Sequence, residues 1–130
     1  MIGYVTVGTN DLDKARGFFD ALLETVGARR LMELPENGFT LYGTGFGKPA
    51  LAVTRPYDGR PAERGNGHMV AVAMDSREKV DAFHARALEL GATDEGAPGL
   101  RSPEGPQAFY GAYFRDLDGN KFCAFRVGPA

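Results

Sequence analysis

One half of this chain repeats the other, and that repeat limits the folds open to it. Displacing the first half by about 64 positions brings Asp11 onto Asp75, Phe19 onto Phe83 and Val26 onto Leu90, with Gly27 on Gly91 and Ala28 on Ala92. Each half reads as a strand, a helix and three further strands. A half of this size can hardly bury both a helix and a sheet face alone. The two halves are therefore expected to share a core or exchange partners.

In the first half a strand is predicted over 2–8, with Val5 and Val7 on one face and Tyr4 and Thr6 on the other. Asn10 or Thr9 is predicted to cap the helix that follows, with Asp11 and Asp13 at the positive end of its dipole. Its apolar stripe is Leu12, Ala15, Phe19, Leu22, Leu23 and Val26, and Gly27 ends it in the left-handed conformation. Short strands are predicted over 28–34, 38–44 and 48–54. Residues 55–67 form a polar connection without periodicity.

The second half restarts with a strand over 68–74. Asp75 and Glu78 are spaced as a capping pair, and Val80, Phe83, Ala87 and Leu90 form the next helical stripe, closed by Gly91. His84 lies in that helix with a structural role. A short strand over 92–95, a Gly- and Pro-rich loop over 96–106 and strands over 107–115 and 121–127 complete the half. The reading is one domain over 1–130, built from a module at 1–55, a linker at 56–66 and a module at 67–130. Eighteen glycines and eight prolines suit many tight turns between short strands.

The last two strands flank Asp116-Leu117-Asp118-Gly119-Asn120. Gly119 supplies a left-handed backbone angle at low cost, and Asp118 and Asn120 are placed to hydrogen-bond nearby amides, which predicts a hairpin. Other motifs are excluded. The stretch from Gly43 to Lys48 is followed by Pro49 and a strand, so it is no phosphate-binding loop. The glycine of Asp116-Leu117-Asp118-Gly119 comes too early for a calcium loop.

A net charge of −2 implies no basic face, so nucleic acid is not an expected partner. No apolar run approaches the roughly 18 residues that span a membrane, and residues 1–6 lack the basic start of a signal peptide. The single cysteine, Cys123, rules out an internal disulfide framework, and a cytoplasmic location is expected.

A βαβββ unit repeated twice resembles the vicinal oxygen chelate superfamily, which includes glyoxalase I, extradiol dioxygenases and bleomycin-resistance proteins. The strongest points of resemblance are Val5-Thr6-Val7-Gly8-Thr9-Asn10-Asp11-Leu12 and Phe114-Arg115-Asp116-Leu117-Asp118-Gly119-Asn120. It implies an α+β fold in which two modules form a curved, cup-like mixed sheet, usually in a homodimer. It also implies a divalent metal held by one residue from the first and fourth strands of each module. In this chain those positions carry Tyr4, Ala52 and Cys123. For the fifth strand, the spacing to the helix cap points to Met69, whereas the repeat pairs Tyr4 with His68. One His and one Cys fall short of the three or four ligands a stable site needs, so no metal cofactor is expected.

If the cup remains, strand alternation lines it with Tyr4, Thr6, Ala52, Met69 and Cys123, with His68 in the alternative register and Tyr113 and Phe125 as neighbours. That lining is mostly apolar with a few hydroxyls, as in small-molecule cavities. Arg55 and Tyr57 stand where a rim would meet an anionic or aromatic ligand. The expected function is metal-free binding of a small, largely apolar molecule. The alternatives are a metal-dependent lyase of the lactoylglutathione type, or another lyase or dioxygenase of the superfamily, and a non-catalytic interaction module.

Overall fold

The computed structural model describes residues 1–130. The elements run β1 (Tyr4–Gly8), α1 (Leu12–Glu24), β2 (Arg29–Glu33), β3 (Thr40–Gly43), β4 (Ala50–Thr54), β5 (Val70–Ala73), α2 (Arg77–Glu89), β6 (Thr93–Leu100), β7 (Phe109–Arg115) and β8 (Lys121–Val127). This is βαβββ twice, in an α+β chain. It divides into two compact units, Met1–Arg64 and Gly65–Ala130, each with one four-stranded mixed sheet.

In the first unit the strand order is β1-β4-β3-β2, with β1 parallel to β4 and the remaining pairs antiparallel. Helix α1 buries Leu12, Ala15, Phe18, Phe19, Leu22 and Leu23, a stripe at spacings of three and four. Phe18 joins the stripe, and Val26, expected in it, falls beyond the last helical residue and is half-buried. Tyr42 fixes which sheet face meets the helix: its hydroxyl donates to Asp20 Oδ1 on α1 at 2.8 Å, and its ring lies 6.2 Å from Phe19. By register Thr40, Leu51, Val53, Val5 and Val7 share that face, while Tyr4, Thr6, Leu41, Ala50 and Ala52 face away.

The cap of α1 is Asp11, whose carboxylate accepts from the Lys14 amide, and neither Asn10 nor Thr9 takes that place. Both are already engaged. Thr9 is buried, and its hydroxyl accepts from the Asp11 amide and donates to the Asp11 carbonyl. Asn10 closes a two-way bond with Ala62: its amide nitrogen donates to the Ala62 carbonyl and its oxygen accepts the Ala62 amide. Those bonds tether the polar connection back to the start of the helix.

The second unit has the order β5-β8-β7-β6 with the same parallel and antiparallel pattern. Val80, Phe83, His84 and Ala87 of α2 are buried, and Leu90, expected in the stripe, is instead the half-buried C-cap. Phe114 stacks on Phe122 at 5.5 Å and sits 6.0 Å from Phe83. Fully burying each such ring contributes about 2–3 kcal/mol. Tyr110 donates to Asp81 on α2 at 2.7 Å, so Tyr110, Ala112, Phe114, Phe122 and Ala124 face the helix. Gly111, Tyr113, Lys121, Cys123 and Phe125 face away.

Three local expectations are corrected here. Ser76, rather than Asp75, caps α2 by accepting from the Lys79 amide; Asp75 pairs with the Lys79 ammonium at 2.9 Å. β5 begins at Val70, because Gly67 at φ +99° turns the chain just before His68. The strand expected over 92–95 runs on through Leu100, into the first half of the stretch expected as a loop, as one eight-residue edge strand, β6, irregular between Asp94 and Gly96 and between Gly96 and Gly99. An edge strand tolerates Pro98 and the glycines that suggested a loop.

Candidate functional site

Strand alternation and register decide what each sheet presents on the face turned away from its helix. In the first unit Tyr4 pairs with Ala50, and Thr6 and Leu41 both pair with Ala52. Tyr4 is 56% exposed, and its ring meets Phe39 edge-on at 5.9 Å. A cleft of about 380 Å³ opens beside it, lined by Tyr4, Leu31, Leu41, Phe46, Pro49 and Ala50 among others. Thr6 is exposed outside that cleft, and Ala52 is wholly buried and does not line it. Arg55 and Tyr57 lie in a separate depression of about 450 Å³ with Asn10, Asn37 and Arg60.

In the second unit Cys123 lies between Tyr113 on β7 and Ala71 on β5. Its side chain is fully buried and hydrogen-bonds Tyr113. Burial pushes the thiol above its ordinary pKa, against the smaller opposing pull of Tyr113, Arg101 and Lys121. The Tyr113 hydroxyl is also raised, first by burial and then by the neighbouring sulfur. Two cations lie over the Tyr113 ring: Arg101 at 5.3 Å and Lys121 at 5.6 Å from its centre. One row further along, Phe109 and Phe125 stack at 5.3 Å with near-parallel rings. Gly111 makes room for that stack, since a Cβ there would sit 2.9 Å from the Phe109 ring.

Tyr4, Thr6 and Ala52 thus share one sheet face of the first unit, and Tyr113 and Cys123 share one face of the second. His68 and Met69 precede β5 and are exposed, with the His68 ring against Gly65. His84 is buried on α2, where Nε2 hydrogen-bonds Asp94 at 3.0 Å, a contact that ties the helix to β6. The expected lining omitted Phe109, Lys121 and Arg101. The first two were within reach, since Lys121 alternates with Cys123 and Phe125 along β8, and Phe109 pairs with Val127. Arg101 arrives just after β6, from a stretch expected to be loop, and nothing in its sequence context signalled the Tyr113 ring.

The positions where the family resemblance implies metal ligands do not fit a divalent ion. They offer an exposed phenol at Tyr4, a methyl group at Ala52, an exposed thioether at Met69 or, in the alternative register, a lone exposed imidazole at His68, and a buried thiol at Cys123 held in its protonated form. A thiol ligates as the thiolate, and burial here opposes its formation. No group of three or more His, Cys, Asp and Glu side chains comes together elsewhere.

Paired βαβββ units with mixed sheets, each covered by one helix, define the architecture of the glyoxalase and bleomycin-resistance proteins. The chain belongs to the glyoxalase-like domain family, whose model matches residues 4–125. Among solved structures it is similar to a glyoxalase/bleomycin resistance protein from Albidiferax ferrireducens, at 38% identity and a TM-score of 0.82, with 97% of this chain and 98% of that one covered. An antibiotic-binding protein from a Streptomyces species matches at 25% identity and TM-score 0.67, over 98% and 96% of the two chains. A glyoxalase/bleomycin resistance protein/dioxygenase family enzyme from Burkholderia phytofirmans shares the fold at 22% identity and TM-score 0.72, over 96% and 97%. No curated protein sequence matches the chain. No helix is long and apolar enough to cross a membrane.

Proposed function

We propose that this chain binds a small, largely apolar molecule on the open faces of its sheets, without a metal ion. The observation that carries the reading is the replacement of a ligating donor set by Tyr4, Ala52, Met69 or a lone His68, and a buried Cys123, on sheets that present aromatic side chains beside an apolar cleft. A cleft with an apolar lining and a few hydroxyls is the usual form of a small-molecule site. The antibiotic-binding relative supports the same direction. The chain acts as a cytoplasmic homodimer in this reading. β1 and β5 each lie at one edge of their sheet, where a strand of a second chain can pair. Light scattering tests the dimer, which requires twice the 14.0 kDa chain mass.

The binding test uses EDTA-treated protein and a neutral naphthalene probe, 1-naphthylmethanol, followed by calorimetric titration. Saturable binding of about one probe per chain, at a dissociation constant below about 1 mM, is the expected result. Absence of binding, together with turnover of the methylglyoxal–glutathione adduct after nickel or zinc is added, would replace this reading with the lyase.

A further inference from the structure

We propose that the open face of the second sheet carries an anion subsite, formed by Arg101 and Lys121 around Tyr113, and that the small molecule is an aromatic carboxylate. This rests on the small-molecule reading above and names the chemistry of its ligand.

The argument begins with charge. Of the three cations on this face, Arg115 is matched by Glu95. Arg101 donates to the Ala97 carbonyl at 2.7 Å and forms no ion pair, and Lys121 forms none. Both instead crowd one aromatic ring. Two like charges held on the same ring repel each other in a chain whose net charge is −2. A carboxylate drawn to these cations offsets their charge and gains charge-assisted hydrogen bonds from them.

Shape supplies the rest. A Cβ at Gly96 or Gly99 would meet the Arg101 guanidinium at 3.3 or 3.1 Å, so these glycines let Arg101 lie over the sheet beside Tyr113. The Phe109–Phe125 stack stands half-buried one row beyond Tyr113. A planar ring laid on those aromatics would have its carboxylate at the cations. Offset or edge contacts with Phe and Tyr rings favour an aromatic partner over an aliphatic one.

The test compares 1-naphthoate with 1-naphthylmethanol, which share the ring and differ in charge, on the same EDTA-treated chain. Naphthoate should bind about tenfold more tightly at low salt, and the preference should shrink as sodium chloride is raised. The double variant Arg101→Gln with Lys121→Gln should abolish the preference, so that the variant binds the two probes with equal affinity. The variant Arg101→Lys with Lys121→Arg keeps both charges and should retain most of the preference. Equal affinity for the two probes, or a preference that survives the double Gln variant, overturns the anion subsite and leaves small-molecule binding standing. Failure of both probes to bind the unaltered chain overturns both.

Discussion

Asp116 is the residue on which the last hairpin turns. It is 5% exposed, and one carboxylate oxygen accepts the amides of Asp118 and Asn120 at 2.9 and 2.8 Å while the other accepts the Asn120 side chain at 2.9 Å. The sequence marks this turn clearly, with Gly119 at φ +86° as expected. It assigns the bonding to Asp118 and Asn120, because three polar residues at alternate positions compete for the same amides and only burial decides between them. Asp116→Ala strands those donors, and a loss of about 2–3 kcal/mol in urea unfolding is expected. Asp20 gives a pH signature. Arg30 chiefly, with help from Tyr42, holds its carboxyl below the ordinary 3.8, against the opposing effect of burial. A depressed carboxylate supplies stability above its unfolded pKa that is lost as pH falls through the folded value. The melting-temperature gap between the native chain and Asp20→Asn should therefore be present at pH 7 and close as pH drops below about 4. A gap that persisted at lower pH would place the effect in packing instead of charge.

At the scale of elements, the ends of the two helices were the most legible features. Gly27 and Gly91 both adopt positive φ. The amides of Ala28 and Ala92 close on the carbonyls of Leu23 and Ala87 at 3.0 Å in each case, so the closing bonds repeat at the offset read from the sequence. Gly27→Ala should cost about 1 kcal/mol, purely from backbone strain, since no atom lies within 4 Å of the added methyl. Gly91→Ala should cost at least as much, because the methyl meets Leu117 at 3.2 Å. Thermal unfolding of the two variants checks both. The helix starts were less legible, for a nonlocal reason. Thr9, Asn10 and Asp11 are all capping residues, and the bond from Asn10 to Ala62, distant in sequence, removes one of them from contention. β6 was missed because glycine and proline signal loops locally, whereas pairing with β7 admits them at a sheet edge.

For the whole molecule, the repeat carried the fold: two βαβββ units follow from an offset visible in the residues themselves. The strand order within each sheet does not, since no local pattern pairs the first strand of a unit with its last. The candidate site divides in the same way. That Tyr113 and Cys123 share a sheet face was legible by alternation along the strands. Arg101 was not, because a side chain folding back onto a ring leaves no periodic trace. The central claim concerns what the site does without, and metal content is its most direct measure. Purified chain would be incubated with nickel, zinc, iron and manganese, desalted thoroughly and assayed by mass spectrometry. Well under about 0.1 ion per chain is the predicted result, as a set without three ionised or imidazole ligands retains no divalent metal. Close to one ion per chain would contradict it and bring the metal-dependent lyase forward.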